Sequence, residues 1–124
     1  MQKYLSTTED IEVEESLKII NPALKKISET NMRLSLCLDK AIEVCLESRR
    51  ASCLKRMVHT IQLAKLESEE EKLRIELYEA ERALLSIEGL YEHIERIAKA
   101  HREIANGIIR EINTIKHKHR NRSV

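Results

Sequence analysis

Histidine and cysteine are the side chains with the most chemistry to offer in this sequence. His101 falls between Ala98 and Ala105 on a line of apolar residues. A neutral imidazole in such a place can ligate a metal or act as a buried pH switch. The commoner role is structural, a half-buried ring hydrogen-bonded to a neighbouring helix. His117 and His119 are two residues apart and leave a helix on different sides, so they do not chelate one ion while helical. No Glu-x-x-His pair occurs, and the di-iron bundle signature is therefore missing. Cys37, Cys45 and Cys53 are spaced by eight, which places successive thiols about 80° apart around a helix. An odd number without CxxC spacing makes no disulfide framework, and small hydrophobes are the expected role. Glycine-rich phosphate loops, a nucleophile beside a base and clustered metal ligands are all missing from the sequence, so no catalysis, cofactor or metal is expected.

Two stretches resemble known families. Arg96 and His101, with four residues between them, and Arg110 and His117, with six, are each similar to the Arg/His motif of helical HEPN-type ribonucleases. Neither His is followed by the Tyr often seen in that family. Residues 94–106, IERIAKAHREIAN, look like the Leu-Glu-Arg-Ile-Gly-Asp helix of PhoU-like phosphate-regulatory bundles, and LESEEEKLRIEL is similar to the glutamate-rich helix before it. This resemblance spans residues 66–106 and implies helical bundle packing. Lys99 stands where that family's metal-binding Asp would be, so no metal is carried over.

The elements that would position these residues are legible from composition and period. The chain has 124 residues, 42% apolar and 35% charged, with two Gly, one Pro and no Phe or Trp. So few turn-formers allow only a few long elements, and the abundant Glu, Leu, Ile, Lys, Arg and Ala mostly favour helix. The length suits one domain. Thr7 or Thr8 is expected to cap a short acidic helix over IEVEESLKII, with residues 1–20 partly frayed. Asn21-Pro22 reads as a boundary, because Asn caps well and Pro fits a first helical position. From there Leu24, Ile27, Asn31, Leu34, Leu38, Ala41 and Cys45 alternate steps of three and four, a heptad line with one polar member. The pattern fades at SRRASC (48–53), which predicts a tight connection.

A longer line follows in Leu73, Leu77, Ala80, Leu84, Ile87, Tyr91, Ile94, Ala98, His101, Ala105, Ile108, Ile112 and Ile115, flanked by Ala83, Leu90, Ile97 and Ile104. A face this wide needs more than one partner. If Ser86 and Gly89 divide the second half, segments 22–50, 53–85 and 88–118 have the similar lengths of an antiparallel three-helix bundle. If the helix passes through Gly89, one of ~1 kcal/mol glycine cost, the product is a long helical hairpin or coiled coil. Both are all-α, with a helical domain over 21–118 and a basic tail over 119–124.

Function is expected to lie in surfaces. Leu84, Ile87, Leu90, Tyr91, Ile94, Ile97, Ile104 and Ile108 form the apolar face for a protein partner or self-association, making the chain a scaffold, adaptor or assembly subunit. The net charge of +1 argues against a general polyanion binder. Cations nevertheless cluster at Arg49, Arg50, Lys55 and Arg56, and again at Lys116, Lys118, Arg120 and Arg122. In an up-down-up bundle these eight would share one pole, a second candidate surface for nucleic acid or another polyanion. With few aromatics, such binding would be to backbone phosphates without sequence preference. No apolar run approaches the ~20 residues of a membrane span. The N-terminus lacks a signal-peptide pattern, and a cytoplasmic location is expected.

Overall fold

The computed structural model describes residues 8–122. Among these the chain is all-helical, in four helices: α1 (Thr8–Ser48), α2 (Cys53–Leu85), α3 (Leu90–Ala100) and α4 (Arg102–Arg122). It divides into two compact units. Unit 1 takes Met1–Lys25 and Glu81–Val124, and unit 2 takes Lys26–Ala80.

The boundary expected at Asn21-Pro22 is not present, because α1 runs through Pro22. Proline removes the N–H that would bond the carbonyl of Lys18 and crowds that carbonyl, at a usual cost of about 3 kcal/mol. Pro22 and Lys18 both face solvent, where water replaces the lost donor and a bend is tolerated. Across the proline, Val13, Ser16, Ile20, Ile27, Thr30, Leu34, Cys37 and Val44 stay buried at steps of three, four or seven. The helix is held by what its inner face covers. Of the segment expected to be partly frayed, residues 1–7 lie outside the described residues, and the remainder, from Thr8 to Ile20, is helix.

That inner face keeps Ile27 and Leu34 from the expected line but takes Thr30, Cys37 and Val44 where Asn31, Leu38 and Cys45 were expected. Thr30, not Asn31, is the polar member, and Val44, not Cys45, ends it. Asn31 and Cys45 are exposed. Thr30 meets its burial cost locally, since its Oγ1 donates to the carbonyl of Lys26 at 2.7 Å.

In unit 2 the α1 and α2 segments run antiparallel. Arg33 Nη1 lies 3.6 Å from Glu76 Oε2, Cys37 Sγ donates to the Leu66 carbonyl at 3.4 Å, and His59 Nε2 lies 3.9 Å from Glu47 Oε2. The expected connection at 48–53 is a turn over 49–52, with Arg50 and Ala51 N–H groups donating back to the Glu47 and Ser48 carbonyls. Its core is Ile27, Leu34, Cys37, Val44, Leu73, Leu77 and Ala80.

In unit 1 the helix does not pass through Gly89. The first break is at 86–89, where Gly89 adopts φ 67°, ψ 27°, a left-handed conformation that only glycine enters without strain. The second break is His101, which no sequence signal marked. Its N–H donates to Ile97 at 2.7 Å and its carbonyl accepts from Ala105 at 3.1 Å. One residue thus closes α3 and opens α4, and the two helices pack together. Lys116, late in α4, donates to the Tyr91 hydroxyl early in α3, so they too are antiparallel. Leu84, Leu90, Ile94, Ile97, Ala105, Ile108, Ile112 and Ile115 form the core with Val13 and Ile20.

Candidate functional site

Most of the apolar face read as a partner surface is spent inside unit 1. Leu84, Leu90, Ile94, Ile97 and Ile108 are buried there, and Ile87 is half-buried. Tyr91 and Ile104 are exposed. Tyr91 leaves the core because the break at Gly89 turns α3, bringing Leu90 inward in its place. The Lys116 ammonium covers its ring, 4.6 Å from the centroid. His101 is exposed for the same kind of reason, as the corner residue between two helices.

The apolar surface that remains open is mostly in unit 2. Leu54, Met57, Val58, Ile61 and Ile75 of α2, with Ile42 and Leu46 of α1, are all more than half exposed, Leu54 reaching 77%. Helical spacing explains the arrangement on α2. His59, Leu63, Leu66, Leu73 and Leu77 turn toward α1, while Leu54, Met57, Ile61 and Ala64 project from the opposite side. Their steps of three, four and three were present in the sequence. They went unread beside the stronger line beginning at Leu73.

The cationic residues fall in different units. Arg49, Arg50, Lys55 and Arg56 stand at the α1–α2 turn of unit 2. None forms an ion pair among the described residues; the Arg56 Nε–H donates to the Ser48 carbonyl at 3.3 Å. A shallow groove lined by Cys45, Ser48, Arg49, Arg56 and Leu63 lies beside them. In unit 1, Lys116 is engaged with Tyr91 and Lys118 Nζ donates to Glu81 Oε2 at 2.6 Å. Arg120 is exposed. The side chain of Arg122 lies outside the described residues.

Two buried polar clusters were not anticipated. Glu81, with 2% of its surface exposed, joins Lys118 and His119, whose Nε2 is 2.9 Å from Oε1. His119 continues the steps of α4 one place beyond Ile115, so its position was readable. Ser16, fully buried, places Oγ 2.9 Å from His93 Nδ1, and Arg96 Nη1 approaches the same nitrogen at 3.5 Å. A serine against an imidazole is the start of a nucleophile–base pair. Here the hydroxyl is sealed from any substrate, and the bond serves to satisfy a buried polar group.

No group of three or more His, Cys, Asp or Glu side chains is placed to hold a metal among the described residues. The three thiols are free, Cys37 buried and Cys45 and Cys53 exposed. Burial pushes the Cys37 thiol above its ordinary value, and the nearby carboxylates of Glu69 and Glu70 add to the effect. Because the thiolate is the reactive form, Cys37 should alkylate at least ~10-fold more slowly than the other two. Iodoacetamide labelling of the native protein near neutral pH, read site by site by mass spectrometry, checks this. Equal rates at all three would mean that Cys37 is not enclosed.

No helix in the described residues is long and apolar enough to cross a membrane. Comparison with family models, with curated proteins and with solved structures finds no match to this chain.

Proposed function

We propose that this chain is a non-catalytic helical scaffold or assembly subunit that acts through coiled-coil-type protein contacts. The observation that carries the reading is the second apolar side of α2, Leu54, Met57, Val58 and Ile61, left open after the first side has packed on α1. Apolar residues gathered in this way on a surface mark contact sites. An antiparallel hairpin or coiled-coil architecture, supported in unit 2 by the Arg33–Glu76 and Glu47–His59 pairs, would hold this side rigid for a partner. The free thiols suit a reducing, cytoplasmic setting.

The test is the size of the native complex. A tagged full chain in an extract of its source cells should migrate well above the monomer on a native gel. The Leu54→Glu/Ile61→Glu variant should migrate as the monomer while keeping its helix content. A wild-type chain that migrates alone would overturn the reading. A second reading, contact with a polyanion, is favoured by the unpaired Arg49, Arg50, Lys55 and Arg56. It requires duplex binding that weakens steeply with salt.

A further inference from the structure

Cys45, outside the core, stands exposed near the end of α1. It is not alone there. Together with Ser48 and Arg49 of α1 and Arg56 and Leu63 of α2 it lines the groove beside the 49–52 turn, which has a volume of about 450 Å³. Helical spacing assembles these residues. Ser48 and Arg49 follow Cys45 by three and four positions and share its side of α1. Leu63 follows Arg56 by seven, two turns along one side of α2. Antiparallel packing sets the two sides against each other within unit 2. Arg49 and Arg56 carry permanent positive charge, and among the described residues no carboxylate pairs with either. Arg56 spends its Nε–H on the Ser48 carbonyl at 3.3 Å. That bond ties the guanidinium across to α1 and leaves its Nη edge uncommitted. The adjacent acid, Glu47, is not among the lining residues; its carboxylate lies 3.9 Å from His59 Nε2. Beyond it no acidic residue occurs until Glu67.

An accessible thiol in electropositive surroundings has the setting of a reactive one. Paired guanidiniums suit carboxylates, which they bind through two parallel N–H donors. The groove is open, however, and buries too little of a small anion to hold it by contact alone. A covalent bond removes that need. We propose that Cys45 is a site of reversible mixed-disulfide formation with the disulfide of a small carboxylate-bearing thiol, the class to which glutathione disulfide belongs. Arg49 and Arg56 receive the carboxylates and bring the disulfide to Cys45 Sγ. The Cys45 thiol gives its proton to water, and the thiolate attacks one sulfur of the incoming disulfide. The new S–S bond forms as the old one breaks, and the other half leaves as a thiolate and takes up a proton. Cys45 is oxidised and the released half reduced, so no further reagent is needed. The same small thiol, in excess, reverses the step. Cys37 is excluded by burial and by the carboxylates of Glu69 and Glu70 near it. Cys53 is free and exposed but is not among the lining residues. The site is independent of the scaffold reading, because Leu63 and Arg56 lie on a different side of α2 from Leu54, Met57 and Ile61.

The experiment uses the purified full chain with its own cysteines, at low ionic strength and near neutral pH. Glutathione disulfide is the anionic reagent, and hydroxyethyl disulfide is the neutral reference. Mass spectrometry of peptides reads each thiol separately. Dividing the rate with the first reagent by the rate with the second removes each thiol's own reactivity and exposure. That ratio should be at least ~10-fold larger at Cys45 than at Cys53, and added salt should erase most of the difference. Arg49→Gln/Arg56→Gln should bring the Cys45 ratio down to that of Cys53. Lys65→Gln/Lys72→Gln removes the same charge from another side of α2 and should change neither ratio. Equal ratios at the two thiols, a difference that persists in salt, or a loss reproduced by the Lys65/Lys72 variant overturns the proposal. So does an unchanged ratio in an Arg49/Arg56 variant that keeps its helix content by circular dichroism. Should that variant lose helix, the salt series on the wild-type chain decides alone.

Discussion

Ile94→Asp should abolish the folded state of unit 1, and Ile94→Ala should cost roughly 2–5 kcal/mol of stability. Ile94 is 3% exposed in the middle of α3, a helix of only eleven residues. So short a helix has little stability alone and depends on its packed face. That face is Leu90, Ile94 and Ile97, one residue per turn against α4. A carboxylate in the centre of it has no buried cation within the same face to pair with, and burying an unpaired charge is among the largest single penalties a fold meets. Circular dichroism melts of the two variants decide the matter. An unchanged midpoint for the aspartate variant would place the core of unit 1 elsewhere.

The second large effect concerns Glu81. Its carboxylate is almost fully buried and is held by Lys118 and His119. The Lys118 side chain is 41% exposed and Glu81 only 2%, so the two sides of the bridge are not equivalent. Removing Glu81 leaves a lysine that water can solvate and takes one partner from the buried His119 ring. Removing the bases leaves a buried carboxylate without them. The double variant Lys118→Ala/His119→Ala should therefore lose about 3–5 kcal/mol. Glu81→Leu should lose clearly less, because an apolar side chain needs no partner there. Urea denaturation of both variants measures the asymmetry, and equal losses would mean that the carboxylate does not rely on these bases.

Much of the interior could be read from spacing. Leu73, Leu77, Ala80 and Leu84 are buried in α2, and Ala105, Ile108, Ile112 and Ile115 in α4, each set on an unbroken three-four step. The errors cluster where a step pattern has more than one solution. In α1 the stripe is three residues wide, so Thr30 and Asn31 compete for one inward place; a threonine can bond its own helix and an asparagine cannot do so as simply. At Tyr91 and His101 the steps continue across breaks in the backbone. Periodicity records phase and is blind to direction, so a chain that turns and comes back in phase looks like one helix. Gly89 gave a local sign of its break. His101, between Ala100 and Arg102, gave none, and tertiary packing of α3 on α4 decides that corner. The open side of α2 was written at Leu54, Met57 and Ile61 in the same notation as the core. Spacing alone does not say which of two apolar sides of a helix meets its neighbour.

The corner at His101 has no slack. Its N–H belongs to the end of one helix and its carbonyl to the start of the next, and no residue stands on either side to take up a change. The side chain is exposed, so its identity matters little, proline excepted because the N–H is in use. The number of residues matters a great deal. Without position 101, Ala100 would join Arg102 directly, and every neighbour favours continuing the helix. The corner would have to form with one residue fewer, turning Ala105, Ile108, Ile112 and Ile115 by about 100° relative to the residues they cover. This corner therefore tolerates spelling changes but not deletions, and the chain's length there, rather than its lettering, is what keeps unit 1 closed.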